Sequence, residues 1–194
     1  MTDKKDITGI ILAGGKSTRM GTDKGFLILE NKSFVQYSID ALQPLVSDIL
    51  IVSDNPDYDT FGFKRINDIT KNAGPVSGIY SGLEASSTKY NLILSCDIPL
   101  ITSEILKKLI EGIDKTSEII QIESNGKTMP LIALYKRQCK ETFSRLLLED
   151  ERRLRVAVNQ CDVKNITINI EEHSTTTNIN TKDEFKQLED ARNN

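Results

Sequence analysis

The sequence has no tryptophan, one histidine and three cysteines in 194 residues. The cysteines, Cys96, Cys139 and Cys161, lie far apart and form no CxxC pair, which argues against a disulfide framework and against a zinc site. We expect them to be small buried residues. The single histidine, His173, has no second histidine, cysteine or base partner near it in the sequence, so we expect it at the surface.

Long apolar runs and basic tracts are also missing. No apolar stretch approaches the roughly 20 residues that a membrane helix needs. Apart from the arginines at 152, 153 and 155, no cluster of cations marks a nucleic-acid surface, and the net charge is −3. The polar start MTDKKDITG shows no secretory signal, so we expect a cytoplasmic protein that contacts neither membrane nor nucleic acid. An anionic ligand must therefore be held by local cations.

Strand-like and helical patterns alternate along almost the whole chain, which is typical of an α/β protein with a mostly parallel sheet covered on both faces. A chain of this length fits one domain and buries roughly 70% of its unfolded surface. A capping-box pattern at Ser33 predicts the start of the first helix. Strands are predicted at 7–12, 49–53, 63–66, 92–95, 118–123, 131–135 and 163–170. Later helices are predicted at 74–85, 104–113, 138–148, 153–159 and 182–191.

The loop after the first strand has the composition of an anion-binding turn. The strand 7–12 is short and β-branched, and Gly14-Gly15 lets the backbone approach an anion without a Cβ in the way. Successive backbone N–H groups in such a turn form an anion-binding concavity. Neither GxxxxGK[ST] nor GxGxxG fits this loop. The cations in it that can bind phosphate oxygens are Lys16, Arg19 and Lys24.

These residues closely resemble the signature of the molybdenum cofactor guanylyltransferases. The family loop reads LAGG, then RMG, then DK, and this chain has Leu12 to Gly15, Arg19 to Gly21 and Asp23-Lys24 at the same spacing. The resemblance implies one three-layer, Rossmann-like nucleotidyltransferase domain over residues 1–194. Relatives that use CTP more often carry LAAG, so Gly14 favours a purine nucleotide.

The resemblance also implies the roles of individual residues. Arg19, Lys24 and Asp97 would be catalytic, and Asp97, in the motif CDxP, would hold Mg²⁺. Gly78, in a GPLxGI-like segment, and Asn178 and Asn180, in an NINT segment, would bind the acceptor. The nucleotide-binding residues would be Leu12, Ala13, Gly14, Gly15, Lys24, Ser53, Asp68 and Asp97.

Several of these residues have ordinary structural interpretations as well. An aspartate that follows a strand, such as Asp97, is often a turn or cap residue, and Asn67-Asp68 is consistent with an Asx turn. Asn178 to Thr181 would also cap the last helix. Ser53 stands where many relatives carry asparagine, and Met129-Pro130 stands where many carry His-Pro.

The resemblance predicts transfer of GMP from GTP to molybdopterin with release of pyrophosphate. It also implies transient contact with molybdenum-insertion or molybdoenzyme-maturation proteins. An alternative is a related enzyme that uses CTP on molybdopterin or another NTP on a sugar phosphate. A second alternative, from another class, is a nucleotide-binding regulator without turnover, which the presence of Arg19, Lys24 and Asp97 disfavours.

Overall fold

The computed structural model describes residues 3–14, 23–71 and 73–192. It has an α/β fold, as the alternating pattern predicts. The strands are β1 (Ile7–Leu12), β2 (Ile28–Leu29), β3 (Lys32–Ser33), β4 (Asp48–Val52), β5 (Lys64–Ile66), β6 (Tyr90–Ser95), β7 (Ile119–Ser124), β8 (Lys127–Lys136) and β9 (Val163–Thr167). The helices are α1 (Phe34–Leu42), α2 (Gly74–Ala85), α3 (Ser103–Glu111), α4 (Cys139–Leu148), α5 (Leu154–Val158) and α6 (Lys182–Arg192).

Within the described ranges, seven strands form one sheet in the order β5-β4-β1-β6-β8-β7-β9. Neighbouring strands run parallel except for β8, which lies antiparallel to both β6 and β7. The mostly parallel sheet predicted from the sequence is therefore confirmed. The interior strand β1 is buried at every position, which explains why apolar residues dominate it. Strands β2 and β3 form a separate antiparallel hairpin.

Helices cover both faces of this sheet and enclose two apolar cores. Because successive side chains of a strand point to opposite faces, Ile10 and Ile11 of β1 belong to different cores. Ile11 packs in the layer that contains Ile39 of α1 and Leu106 of α3. Ile10 packs in the layer formed by α2, α4 and α5. No helix in the described part of the chain combines the length and the apolar character that crossing a membrane requires.

The structure differs from the sequence predictions at the ends of some helices and strands, where side-chain hydrogen bonds or the conformation of a turn decide where the element begins or ends. Ser33 is the N-cap of α1, but its side chain makes no cap hydrogen bond, so the predicted capping box is wrong there. Strand β8 begins at Lys127 rather than 131, because Asn125 and Gly126 adopt φ values of 50° and 69° and form a tight hairpin turn. The last strand ends at Thr167, before a 3-10 turn over Ile170–Thr176.

The cap predicted for the last helix is confirmed. The backbone N–H of Glu184 donates to Thr181 Oγ1 at 3.2 Å, and the Glu184 carboxylate accepts from the Thr181 N–H at 2.9 Å. Two backbone donors at the start of α6 are thereby satisfied. Among the cysteines, Cys96 and Cys139 are buried as expected, and Cys161 is partly exposed.

Helix α2 approaches β1 so closely that Gly82 has no room for a side chain. A Cβ built on Gly82 would lie 2.6 Å from Ile10 Cγ2. We predict that Gly82→Ala lowers the free energy of unfolding by about 1–3 kcal/mol through overpacking, although alanine is the better helix former. Denaturant unfolding measures this change. In an Ile10→Ala background the clashing atoms are gone, and an equally large cost there would contradict the explanation.

Candidate active site

Among the described residues, those predicted to bind a nucleotide gather at the carboxyl ends of the parallel strands β5, β4, β1 and β6. The ladder continues one residue beyond the strands. Ala13 N donates to Val52 O at 3.0 Å, and Cys96 N donates to Leu12 O at 3.1 Å. These bonds hold the ends of β4, β1 and β6 side by side. The polar or flexible residues that follow the strand ends are Gly14, Ser53, Asp68 and Asp97.

The carboxylate of Asp97 is held in a fixed orientation just beyond β6. Its Oδ1 accepts from Ser95 Oγ at 2.7 Å and from Asn178 Nδ2 at 3.0 Å. Its Oδ2 accepts from Lys24 Nζ at 3.3 Å. The Asp97 side chain is 15% exposed and the Lys24 side chain 19%, so water screens this ion pair less than it would a surface pair. The geometry is that of an oriented ligand group beside a cation.

Lys24 connects a residue that the sequence assigns to the nucleotide and the metal, Asp97, with one that it assigns to the acceptor, Asn180. Besides its contact with Asp97, its Nζ donates to Asn180 Oδ1 at 2.5 Å. Lys24, Asp97, Asn178 and Asn180 therefore form one hydrogen-bonded group, which we call the lysine cluster. The separate roles predicted for them stay predictions, but three hydrogen bonds join them in sequence, from Asn178 to Asp97, from Lys24 to Asp97 and from Lys24 to Asn180.

The C-terminal segment reaches the lysine cluster because its backbone and an apolar side chain are both anchored. Ile179 N donates to the backbone oxygen of Asp97 at 2.8 Å. The Ile179 side chain is 4% exposed and packs with Leu29 and Phe34 in a small apolar group. Asn178 and Asn180 flank this anchor, so their amides are presented to Asp97 and Lys24.

Asp68 lies in the loop before α2 and is held by two buried serines of that helix. Ser77 Oγ donates to Asp68 Oδ1, and Ser81 Oγ donates to the same oxygen at 3.3 Å. The serines also accept backbone N–H groups from this loop, from Thr70 at 3.0 Å and from Ile69 at 2.9 Å. Burial raises the pKa of the Asp68 carboxyl, and the hydrogen bonds from the serines oppose that rise. Asp68 is thus more than an exposed turn residue.

Ser53 closes the turn after β4. Its side chain is nearly buried, and Ser53 Oγ accepts from the backbone N–H of Asn55 at 3.2 Å. Its backbone oxygen accepts from Arg65 Nη1 at 3.1 Å. A contact of Ser53 with a nucleotide base stays a prediction.

The glycine loop is described only at its start. Gly15 and Arg19, which were predicted to bind the nucleotide and to act in catalysis, lie outside the described residues, as does Lys16. Gly14 is exposed, and among the described residues the atom nearest to a Cβ built on it would be Val52 O, at 3.9 Å. The described surroundings therefore leave room for a Cβ at Gly14, and contact of Gly14 with a nucleotide stays a prediction.

Gly78, predicted to bind the acceptor, is buried where α2 packs on β1. A Cβ built on it would lie 3.3 Å from Leu12 Cδ2, which is a tight contact. Packing accounts for a glycine at this position. Contact of its backbone with an acceptor stays a prediction.

Sequence reasoning did not single out the serines that orient the two aspartates. These are Ser95 for Asp97, and Ser77 and Ser81 for Asp68. The spacing of Ser77 and Ser81 places them on one face of a helix, which the sequence does reveal. Their partner lies in another element, and no local pattern identifies it.

An oriented carboxylate and a lysine at the carboxyl ends of parallel strands lie where Rossmann-like proteins bind their ligands. The family model described as "MobA-like NTP transferase domain" matches residues 9–165. The chain belongs to this family and is a nucleotidyltransferase.

Named relatives agree with this assignment over nearly the whole chain. A probable molybdenum cofactor guanylyltransferase of Flavobacterium johnsoniae is 35% identical over 182 residues, covering 94% of this chain and 96% of the relative. A molybdenum cofactor guanylyltransferase of Shewanella sediminis is 28% identical, covering 95% and 96%. The crystal structure of molybdopterin-guanine dinucleotide biosynthesis protein A from Archaeoglobus fulgidus superposes with a TM-score of 0.81 at 21% identity, covering 96% and 98%. That structure supports the fold.

The raised pKa of Asp68 predicts a stability cost at neutral pH. The folded protein holds the Asp68 proton more tightly than the unfolded chain, so its stability falls as pH rises from the ordinary carboxyl pKa through the folded one. We predict that Asp68→Asn, which keeps an oxygen for Ser77 and Ser81, raises the thermal unfolding midpoint at neutral pH. The gain should shrink toward acid pH. A lower midpoint at neutral pH would contradict this account.

Proposed function

We propose that this protein transfers GMP from GTP to molybdopterin, with release of pyrophosphate. The names of its relatives support this choice of substrates. Among the contacts of the site, the position of Lys24 between Asp97 and Asn180 carries the proposal. It brings a cation, a candidate metal ligand and the NINT segment to one point, where two anionic substrates would have to meet.

The chemistry requires that negative charge be offset at this point. A phosphate oxygen of the acceptor attacks the α-phosphorus of GTP, a new P–O bond forms, and the bond to the oxygen that bridges to the β-phosphorus breaks. Pyrophosphate leaves with that electron pair. In our proposal, Lys24 binds the triphosphate and the departing pyrophosphate through charge-assisted hydrogen bonds. The Arg19 guanidinium would share this task.

Magnesium is the metal that the donor chemistry suits. Among the described residues, no three histidine, cysteine or acidic side chains gather into a metal-binding group. Mg²⁺ is commonly bound by one or two carboxylates together with substrate phosphates and waters, and a single oriented carboxylate such as Asp97 fits that pattern. Asp97 would hold the ion, and Ser95 and Asn178 would fix the direction of its oxygens. When bound, the ion supplies positive charge to phosphate oxygens.

The acceptor side of the proposal depends on Asn178 and Asn180. Asparagine amides carry both donors and acceptors, which suits the edge of a pterin ring. Because Asn180 accepts from Lys24 in the structure, binding of an acceptor at Asn180 and of a triphosphate at Lys24 would be coupled. The cytoplasmic location and the transient contacts with molybdenum-insertion or molybdoenzyme-maturation proteins stay predictions from the sequence.

Nucleotide choice tests the proposal directly. We predict faster pyrophosphate release with GTP than with CTP or ATP when the protein is incubated with Mg²⁺, molybdopterin and each nucleotide separately. Gly14→Ala, which recreates the LAAG pattern, should lower the ratio of the pyrophosphate release rate with GTP to the rate with CTP. Its unfolding midpoint should stay unchanged, since the described atoms around Gly14 leave room for a Cβ. Equal turnover of GTP and CTP by the unmodified protein would overturn the guanine assignment.

The role of Asp97 has its own test. We predict that Asp97→Asn abolishes Mg²⁺-dependent turnover while the thermal midpoint changes little, because a neutral amide is a poor Mg²⁺ ligand yet can still accept a hydrogen bond from Ser95. The matched control is Ser95→Ala. It removes one hydrogen bond but keeps the carboxylate, and should lower turnover by about tenfold at most. Full activity of Asp97→Asn would refute the assignment.

A further inference from the structure

The aspartate that precedes Lys24 has both carboxylate oxygens occupied by protein donors. Asp23 Oδ1 accepts from Gly25 N at 3.1 Å and from the Tyr58 hydroxyl at 2.6 Å. Asp23 Oδ2 accepts from Asn55 Nδ2 at 3.2 Å. Asp23 also caps the 3-10 turn over Lys24–Phe26. These bonds fix the backbone from which the Lys24 side chain extends.

Tyr58 is fully buried and supplies the most enclosed of these donors. Its ring packs against Phe26, with the ring centroids 4.6 Å apart, and against Phe61, at 6.2 Å. A Cβ built on Gly25 would lie 2.0 Å from the Tyr58 hydroxyl oxygen, so only glycine allows the turn to come this close. Burial raises the pKa of Tyr58 well above its ordinary value, and the hydroxyl therefore remains a donor.

Asn55 ties the same aspartate to the turn after β4. Its side-chain NH₂ donates to Asp23, and its side-chain oxygen accepts from Asp57 N at 3.0 Å. Its backbone N–H donates to Ser53 Oγ at 3.2 Å. Both ends of the Asn55 amide are thus engaged, so it does not replace the asparagine that many relatives carry at the Ser53 position. Instead, it joins Ser53, in the turn after β4, to Asp23, which precedes Lys24.

We propose that Asp23, held by Tyr58 and Asn55, is a positioning residue that places Lys24 against Asp97. This inference rests on the role proposed above for Lys24. A lysine side chain has many rotamers, and ordering it costs free energy. Fixing its backbone at both Asp23 and Gly25 reduces the range of positions that its ammonium group can reach. Small displacements of catalytic groups cost large factors in rate.

Tyr58→Phe in the full-length protein tests the proposal, because it removes one oxygen atom and keeps the packed ring. We expect kcat for GMP transfer to fall about tenfold or more, with a smaller change in the KM for molybdopterin. The matched control is Tyr135→Phe. Tyr135 is equally buried and donates to the backbone oxygen of Pro130 at 2.9 Å, away from Asp23. The control should lose similar stability but keep its kcat within about twofold.

A compensating pair of substitutions, at Asp23 and Asn55, provides a second test of the proposal. Asp23→Asn can place an amide NH₂ opposite the Asn55 NH₂, so it should lower kcat. Adding Asn55→Asp restores a donor and an acceptor across this contact and should recover much of the loss. If Asp23 only stabilised the fold, the single and double variants would have the same kcat once they are folded. Failure of the double variant to recover activity, with its fold intact, would count against the proposal.

A structural readout separates this inference from the proposed function. Crystal structures of the unmodified protein, Tyr58→Phe and Tyr135→Phe, without substrates, would show whether Lys24 Nζ stays beside Asp97 Oδ2. We expect Lys24 to leave this position in Tyr58→Phe alone. An unchanged contact in Tyr58→Phe would overturn the positioning role even if the protein transfers GMP. Conversely, a displaced Lys24 would support it even if GTP and molybdopterin proved to be the wrong substrates.

Discussion

The parallel hydrogen-bond ladder through β4, β1 and β6 is the constraint on which the candidate site depends. Its last bonds, from Ala13 to Val52 and from Cys96 to Leu12, lie beyond the strands themselves. They place the start of the glycine loop between the turn after β4 and the turn after β6. A one-residue slip of β1 would exchange the layers of Ile10 and Ile11 and would break both cores. Core packing therefore fixes the site.

Opposite charges and amides at this edge link parts of the chain that are distant in sequence. Lys24 contacts both Asp97 and Asn180, and Ile179 is hydrogen-bonded to the backbone at Asp97. In the proposed function, a triphosphate bound by Lys24 would share the three N–H donors of its ammonium group with these two oxygen acceptors. Such sharing would couple the two proposed substrates through one ammonium group rather than through a change of fold.

Buried hydroxyl groups hold two aspartates of the candidate site in place. Ser77 and Ser81 hold Asp68, and Tyr58 holds Asp23. These hydroxyls lie on α2 and on the 3-10 turn Pro56–Phe61, which pack against the cores. Buried polar groups that are fully paired make a site rigid. Any movement that breaks a pair leaves a buried polar group without a hydrogen bond, which costs free energy. Burial of the Asp68 carboxylate, which raises its pKa, is the corresponding cost in stability.

The sequence by itself determined the α/β class, most strands and helices, the Thr181 cap and the family, because periodicity, caps and loop motifs are local. It placed Asp97 and Asp68 after strands but assigned them no partners. The contacts between Lys24 and Asn180, between Asp23 and Tyr58, and between Asp68 and the serines of α2 were decided only in the tertiary structure. Each of these contacts joins different elements. The order and register of the strands bring those elements together, and both follow from packing of the whole chain rather than from any local pattern.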